Sequence, residues 1–549
     1  MSQALTYVPE RLDHLGIVAG VCQEIGLAAY LDALDTSYHA RVSVGTATVA
    51  MILNGLGFSN RRLYLIPQFF ADKPVETLLG PGITANELND ECLGRTLDWL
   101  YAHDPTALFA GIATQARRVF SITARQIHVD TTSFSVSGEY LPEEGDLDAN
   151  VIAITYGYSR DHRADLKQWM LALGTTHEGD IPLFLRPLDG NSSDQRTLLS
   201  AVQALAEQLR TPEGEEERIY IADGGVYSSA NMGQLNAAGI RWESRVPETS
   251  AQAKAALART DVNWQRTEDG EIAWWSQEIT LPHGQERWVI VRTKSGEQRA
   301  KATLQRKVEA ASQTWKQKVW HLSNQRFACE ADARAALERE LRQCPTWFEV
   351  QTQVGASPKY AQSGRPRKDA TPRTTEWQIQ VTLAVNQERV EAEALRAACF
   401  IVGTNVLDPT RLSDQEVVTT YKAQGGVERG FRFLKDPLFL ASSVFLKKPE
   451  RIMALSLIMV LCLLVYRLAE HRLRSRLVKT GQTIPDQLRQ PTNHPTLRWV
   501  FQCFEGIELL QISTSSMARQ TLVLRLEPLH EQILALLGPL AHHYYQPRT

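Results

Sequence analysis

Arg218-Ile219-Tyr220-Ile221-Ala222-Asp223-Gly224-Gly225 is a short apolar run that ends on an aspartate and two glycines. Such a run, bounded by turn residues, reads as a buried strand with the acid at its C-terminal end. Upstream, Ile127-His128-Val129-Asp130-Thr131-Thr132 repeats the pattern of an apolar run closing on an acid. Working outward, strands are expected at 127–136, 151–158, 167–175, 181–187, 218–222 and 240–246, with helices at 194–209 and 228–238. Adjacent strands followed by β-α-β-α-β predict a mixed sheet with helices on its faces. Asp130 then falls on the first strand and Asp223 at the C-terminal end of a later one, where open α/β sheets place ligands.

The flanks read differently. Residues 1 to 120 show apolar residues at helical spacing, among them Leu12, Leu15, Val18, Val49, Ile52 and Leu56. Residues 250 to 400 mix short alternating runs (271–275, 287–293, 347–354, 377–385) with a long polar helical stretch over 297–343, as an inserted subdomain would. Cys399–Thr404 reads as a strand returning to the first sheet, and Ser413 with Glu416 makes a capping box that starts a helix. Residues 444–549 read as mainly helical. The apolar run Leu455–Tyr466 is too short to span a bilayer and is expected as a buried helix.

Composition bounds the class. At 549 residues, 43% hydrophobic and 22% charged, the chain has material for several soluble domains. A net charge of −3 gives no overall pull toward nucleic acid, so any such contact must use local basic surface. Seven scattered cysteines, odd in number and without a Cys-x-x-Cys pair, argue against a disulfide framework or zinc site and suit a reducing cytoplasm. The first five residues have no signal-peptide character.

A third acid lies in Tyr421-Lys422-Ala423-Gln424-Gly425-Gly426-Val427-Glu428-Arg429-Gly430-Phe431-Arg432-Phe433-Leu434-Lys435. On a helix, Tyr421, Gln424, Glu428, Arg432 and Lys435 share a sector of roughly 80°, and Ala423, Val427, Phe431 and Leu434 fall on another side. Each of the two glycines costs the helix roughly 1 kcal/mol and invites a bend. Carboxylates gathered round divalent cations are what phosphoryl transfer requires, because hard oxygen ligands hold the metal that neutralises phosphate charge.

Tyr421–Lys435 resembles the Y-(2)-R-(3)-E-(6)-K signature of bacterial insertion-sequence DDE transposases, with Gln424 in the arginine place. His128–Thr132 is similar to the family's first-aspartate strand and Ala222–Tyr227 to its second-aspartate motif. Gly157–Gln168 and Gly190–Asp194 also resemble family segments, so the likeness runs over roughly 120–480. It implies an α/β fold: an RNase H-like mixed sheet with flanking helices, interrupted by a β-rich insertion, plus helical N- and C-terminal regions. The expected domains are 1–120 (end-binding), 121–249 (core, first part), 250–398 (insertion), 399–445 (core, last part) and 446–549 (C-terminal).

The resemblance further implies catalytic and metal-ligating roles for Asp130, Asp223 and Glu428, with Mg²⁺ as cofactor and Mn²⁺ as a substitute. Tyr421, Gln424, Arg432 and Lys435 are expected to meet DNA. Arginine at 424 would offer a forked donor that glutamine lacks. Gly364-Arg365-Pro366-Arg367-Lys368 resembles an AT-hook core, which places Arg365 and Arg367 in a minor groove. The implied partners are double-stranded DNA, as terminal inverted repeats and target, and a second subunit on that DNA, with no membrane and a cytoplasmic location. A nuclease without strand transfer and a non-catalytic repressor derived from such an enzyme are the alternatives.

Overall fold

In this computed structural model the residues described are 6–36, 41–58, 65–140, 150–158, 163–210, 217–360, 373–436, 446–514 and 517–547. They divide into two units. Met1–Ser244, Thr280–Glu286 and Thr404–Thr549 form the first; Arg245–Ile279 and Arg287–Gly403 form the second.

The first unit opens with strand β1 (Thr6–Arg11) and helices α1 (Leu15–Ile25), α2 (Leu27–Leu34), α3 (Val44–Leu56), α4 (Ile66–Phe69), α5 (Val75–Leu79), α6 (Asp90–Ala102) and α7 (Pro105–Phe120). Side-chain caps set the longer starts: Ser43 accepts from the Thr46 amide, Asn89 from Cys92, and Asp104 from Thr106, with Pro105 next in line.

The sheet follows with β2 (Gln126–Val136), β3 (Lys167–Thr176), β4 (Pro182–Leu188), α8 (Asp194–Gln208), β5 (Ile219–Ala222), α9 (Ser229–Ala237) and β6 (Arg241–Val246). Its order is β4-β3-β2-β5-β6. The first three strands are antiparallel, and β5 and β6 run parallel to β2. This is the RNase H-like arrangement expected. The two faces of β2 sort by alternation. Ile127 and Val129 pack in a cluster with Leu198, Val202 and Leu205 of α8 and Met232 and Leu235 of α9. Phe134 and Val136 join a different cluster.

The stretch 151–158, expected as a strand, makes one bridge among the described residues, Thr155 with Gln168. Its backbone is taken up by a turn instead. Asp189 Oδ1 accepts from the Ala153 amide at 2.7 Å, and the Gly190 amide donates to the Ala153 carbonyl at 2.9 Å.

The second unit holds α10 (Ala251–Ala258), β7 (Gln265–Arg266), β8 (Ile272–Leu281), β9 (Gly284–Thr293), α11 (Lys294–Asn324), α12 (Glu330–Leu341), β10 (Phe348–Lys359), β11 (Thr374–Val385), α13 (Gln387–Ala397) and β12 (Cys399–Thr404). Four of its strands lie in the order β12-β9-β8-β7, and β10 and β11 form a separate hairpin. The helical stretch 297–343 is two helices. Between them Phe327 leaves the helix and exchanges backbone hydrogen bonds with Trp377 of β11, at 3.0 and 2.8 Å. Trp274 and Trp275 of β8 and Trp288 of β9 are buried core.

The chain returns to the first unit through α14 (Asp414–Lys422), α15 (Gly425–Leu434) and α16 (Pro449–Thr480). After these come β13 (Ile484–Pro485), β14 (Pro491–Thr492), α17 (Leu497–Cys503), β15 (Glu508–Thr514), β16 (Met517–Leu524), α18 (Pro528–Leu537) and α19 (Pro539–His543). Ser413 and Glu416 make the expected capping box.

Leu455–Tyr466 lies within α16, whose 32 residues make it long and apolar enough to cross a bilayer. In the fold, 94% of its most apolar window is buried. A helix apolar on every side needs a core all round it. Helices α1, α3, α6, α7, α18 and α19 together with β2 and β3 supply that core. The N- and C-terminal helices, expected as separate regions, therefore share one hydrophobic interior.

The basic residues after the apolar run have internal partners. Arg467 pairs with Glu470 at 2.7 Å, Arg474 with Glu470 at 2.9 Å, and Arg472 with Glu24; Arg476 donates to the Leu536 carbonyl at 2.8 Å. Finally, β1 pairs with β15, which pairs with β16, so a three-stranded sheet stands in regions expected to be mainly helical.

Candidate active site

Backbone register brings two of the acids together. Parallel β2 and β5 align Gln126 with Ile219 and Val129 with Ala222. The next residues in each chain direction are Asp130 and Asp223, side by side at a strand spacing of about 4.8 Å. Both follow a residue of the α8–α9 face (Val129, Ala222), so alternation turns them toward the opposite face. The backbone aims both side chains: the Thr131 amide donates to Asp130 Oδ1 and the Gly224 amide to Asp223 Oδ1, each at 2.7 Å. The chain leaves β5 in a tight turn, with the Val226 amide donating to the Asp223 carbonyl at 3.1 Å.

Glu428 comes from α15, which covers that same face. Val427, Phe431 and Leu434 are buried beneath it, while Glu428, Arg429 and Arg432 are exposed. Three contacts trace its path. The Tyr421 hydroxyl reaches Asp223 Oδ1 at 3.4 Å. Gly430 lies against Leu173, the cross-strand partner of Asp130; a Cβ on it would be 3.7 Å from the leucine methyl. Lys435 Nζ stands 5.7 Å from the centre of the Phe134 ring. Phe134 and Asp130 occupy the same face of β2, four residues apart. Glu428 thus lies midway along a segment that runs from Asp223 past the partner of Asp130 to Phe134.

The single helix expected over 421–435 is two, α14 and α15, meeting at Ala423–Gln424. Tyr421 is on the first, Gln424 sits at the joint, and only Glu428, Arg432 and their neighbours ride the second. Of the two glycines, Gly426 serves the joint. Gly426 packs so tightly on Asp180 that a Cβ would fall 2.0 Å from its Oδ1. Asp180 is in turn held by Arg429 at 2.9 Å and lies 3.9 Å from Arg467.

As donors, oxygen carboxylates alone suit a hard divalent cation. Asp130 and Asp223 are adjacent, and Glu428 approaches on the same face. Among the described residues, however, no three His, Cys, Asp or Glu side chains stand close enough together to hold an ion. Arg365 and Arg367 lie outside the described residues.

His128 is a packed histidine. It is 1% exposed, with Nε2 3.3 Å from His177 Nδ1, and burial, aided by His177, pushes its imidazole down to about 3. It is therefore neutral near pH 7. Arg163 forms an exposed ion pair with Asp165 at 2.8 Å.

One supporting network gave no signal in sequence. Glu286, fully buried, accepts from the Tyr227 hydroxyl at 2.7 Å and from His283 Nε2 at 2.6 Å, and His283 Nδ1 lies 3.0 Å from Ser229 Oγ. It ties the loop after Asp223 to the segment Thr280–Glu286. A lone glutamate in an alternating run reads as solvent-facing, and only the fold supplies its partners. Glu286→Ala leaves two half-buried donors without this acceptor, at about 1–3 kcal/mol each. Urea unfolding should therefore show a loss of about 2–5 kcal/mol, and a loss under about 0.5 kcal/mol would mean the network carries no stability.

Comparison with known proteins adds the family. No curated protein matches the chain. A solved structure of a piggyBac transposase synaptic complex with hairpin DNA aligns over 91% of this chain and 82% of its own, at 8% identity and a TM-score of 0.36. That likeness is too loose to carry any conclusion about this protein. A model described as a domain of unknown function, DUF4277, matches residues 8–114. The model of the transposase DDE domain matches residues 124–465, more than half of the 549 residues and all three acids. The chain therefore belongs to the DDE transposase family, enzymes of DNA cleavage and strand transfer that work with divalent metal ions.

Proposed function

We propose that Asp130, Asp223 and Glu428 hold the divalent ions, Mg²⁺ with Mn²⁺ as a substitute, and that the substrates are the terminal inverted repeats of an insertion sequence and its target DNA. The observation that carries this reading is the register that sets Asp130 beside Asp223 with α15 laid across the same face. Bound divalent cations neutralise charge on the phosphate and activate the attacking oxygen. The chain's own residues orient. Tyr421 steadies the Asp223 side chain, the Thr131 and Gly224 amides aim both aspartates, and Asp180 seats the start of α15. Arg432 and Lys435, one and two turns beyond Glu428, meet phosphate oxygens, with Gln424 and Tyr421 on the near side. Arg365 and Arg367 add minor-groove contact. Water attacks the phosphodiester at the element's end, and the freed 3′-hydroxyl then attacks DNA. No protein nucleophile takes part.

Two ends must be joined together, so two subunits on DNA, acting in the cytoplasm, complete the reading. Its test is to give the protein pre-cleaved repeat ends, Mg²⁺ and a supercoiled target. Joined products are expected. Cutting without joining would mean a nuclease, and binding without either a repressor.

A further inference from the structure

The second unit carries a basic surface that the site above does not use. Helix α11 buries Leu304, Val308, Trp315 and Leu322 along one stripe, leaving the rest of its circumference outward. Its 31 residues hold seven lysines and arginines against two glutamates, a net of +5 in a chain whose total is −3. Some of this charge is spoken for. Lys294 pairs with Glu271 at 2.8 Å, Lys318 with Glu340 at 3.6 Å, and Glu297 with Arg292 at 2.9 Å.

Among the described residues no ion pair reaches Arg299, Lys301, Arg306, Lys307 or Lys316. Arg299 and Arg306 donate Nε to carbonyls one turn earlier, Ser295 at 3.3 Å and Ala302 at 3.2 Å, which keeps their Nη groups for another acceptor. Arg299 and Arg306 lie opposite the buried stripe, with Lys307 and Lys316 about 90° to either side of them, and the cations from Arg299 to Lys316 extend over about 26 Å at 1.5 Å per residue. At its N-terminal end a cavity of about 490 Å³ is lined by Arg245, Arg299, Lys307 and Phe400, with Glu393 on the wall, itself paired to Arg396 at 2.7 Å.

Cations separated along this length and over the outward half of the helix match an extended polyanion rather than a small anion. In an acidic chain it is also where a polyanion is repelled least. We propose that the outer face of α11 is a sequence-independent docking surface for the sugar-phosphate backbone of double-stranded DNA. This rests on the reading of the chain as a DNA strand-transfer enzyme.

The test uses the full-length protein and a duplex of arbitrary sequence, with affinity measured as salt rises from about 50 to 200 mM. Replacing Arg299, Arg306, Lys307 and Lys316 by glutamine should reduce the slope of log affinity against log salt by about 3–4. Glu309→Lys, on the outward side beside Gln305, should steepen it by about one. An unchanged slope in both variants overturns the proposal. So does lost self-association with DNA binding intact, which would give the face to a second copy of the chain. Asp130→Asn keeps the readings apart, since it should retain the wild-type slope. If the wild type cuts nothing while the slope still depends on α11, the docking surface stands and the catalytic reading fails.

Discussion

Asp130→Asn, Asp223→Asn and Glu428→Gln are each expected to slow strand cleavage by at least about 10³-fold, the rate equivalent of roughly 4 kcal/mol. End binding should remain. The size follows from what is removed: a carboxylate that holds a cation at the reacting phosphate has no substitute once it is a neutral amide. The fold should survive, because asparagine keeps the side-chain oxygen that accepts from Thr131 or Gly224 at 2.7 Å, and Glu428 is exposed. A cleavage assay on labelled repeat ends, beside a gel-shift at equal protein, separates chemistry from binding. Near-normal cutting by any one of the three variants would remove that residue from the site.

Gly426→Ala is expected to slow cleavage at least about ten-fold, as misplacement of a reacting group by an ångström does. Its new methyl would stand 2.0 Å from Asp180 Oδ1. Asp180 cannot simply swing away, because Arg429 grips it at 2.9 Å. The start of α15 must shift instead, carrying Glu428 off line. Gly425→Ala is the control. Its Cβ would meet only the end of Arg429 at 3.6 Å, and alanine favours a helix by about 1 kcal/mol, so activity should hold and stability should not fall. Equal cleavage by the two variants would mean that Asp180 does not set the position of α15.

The parts of the site that sequence made legible are those where local pattern decides. The runs ending at Asp130 and Asp223 are apolar, β-rich and bounded by turn residues, and they became neighbouring parallel strands. Ser413 and Glu416 capped their helix three residues apart, an interaction that needs nothing distant. The polar and apolar sides of 427–434 also separated as periodicity demands. Where local pattern misled, a distant partner had claimed the backbone. The 151–158 segment gave its hydrogen bonds to Asp189 and Gly190. The helix 421–435 broke where Gly426 met Asp180, some 246 residues away in sequence.

Sequence by itself determined the strands that carry Asp130 and Asp223, the capped start of α14, and that three separated acids end or ride such elements. Tertiary structure alone decided that Thr6 pairs with Ser513, that α16 is the shared interior of both ends of the chain, and that Glu286 has partners within the fold. The physical reason is range. Periodicity and capping act within a few residues of the chain. Ladder pairing, core sharing and the satisfaction of a buried carboxylate depend on which surfaces happen to be covered once the whole chain has collapsed.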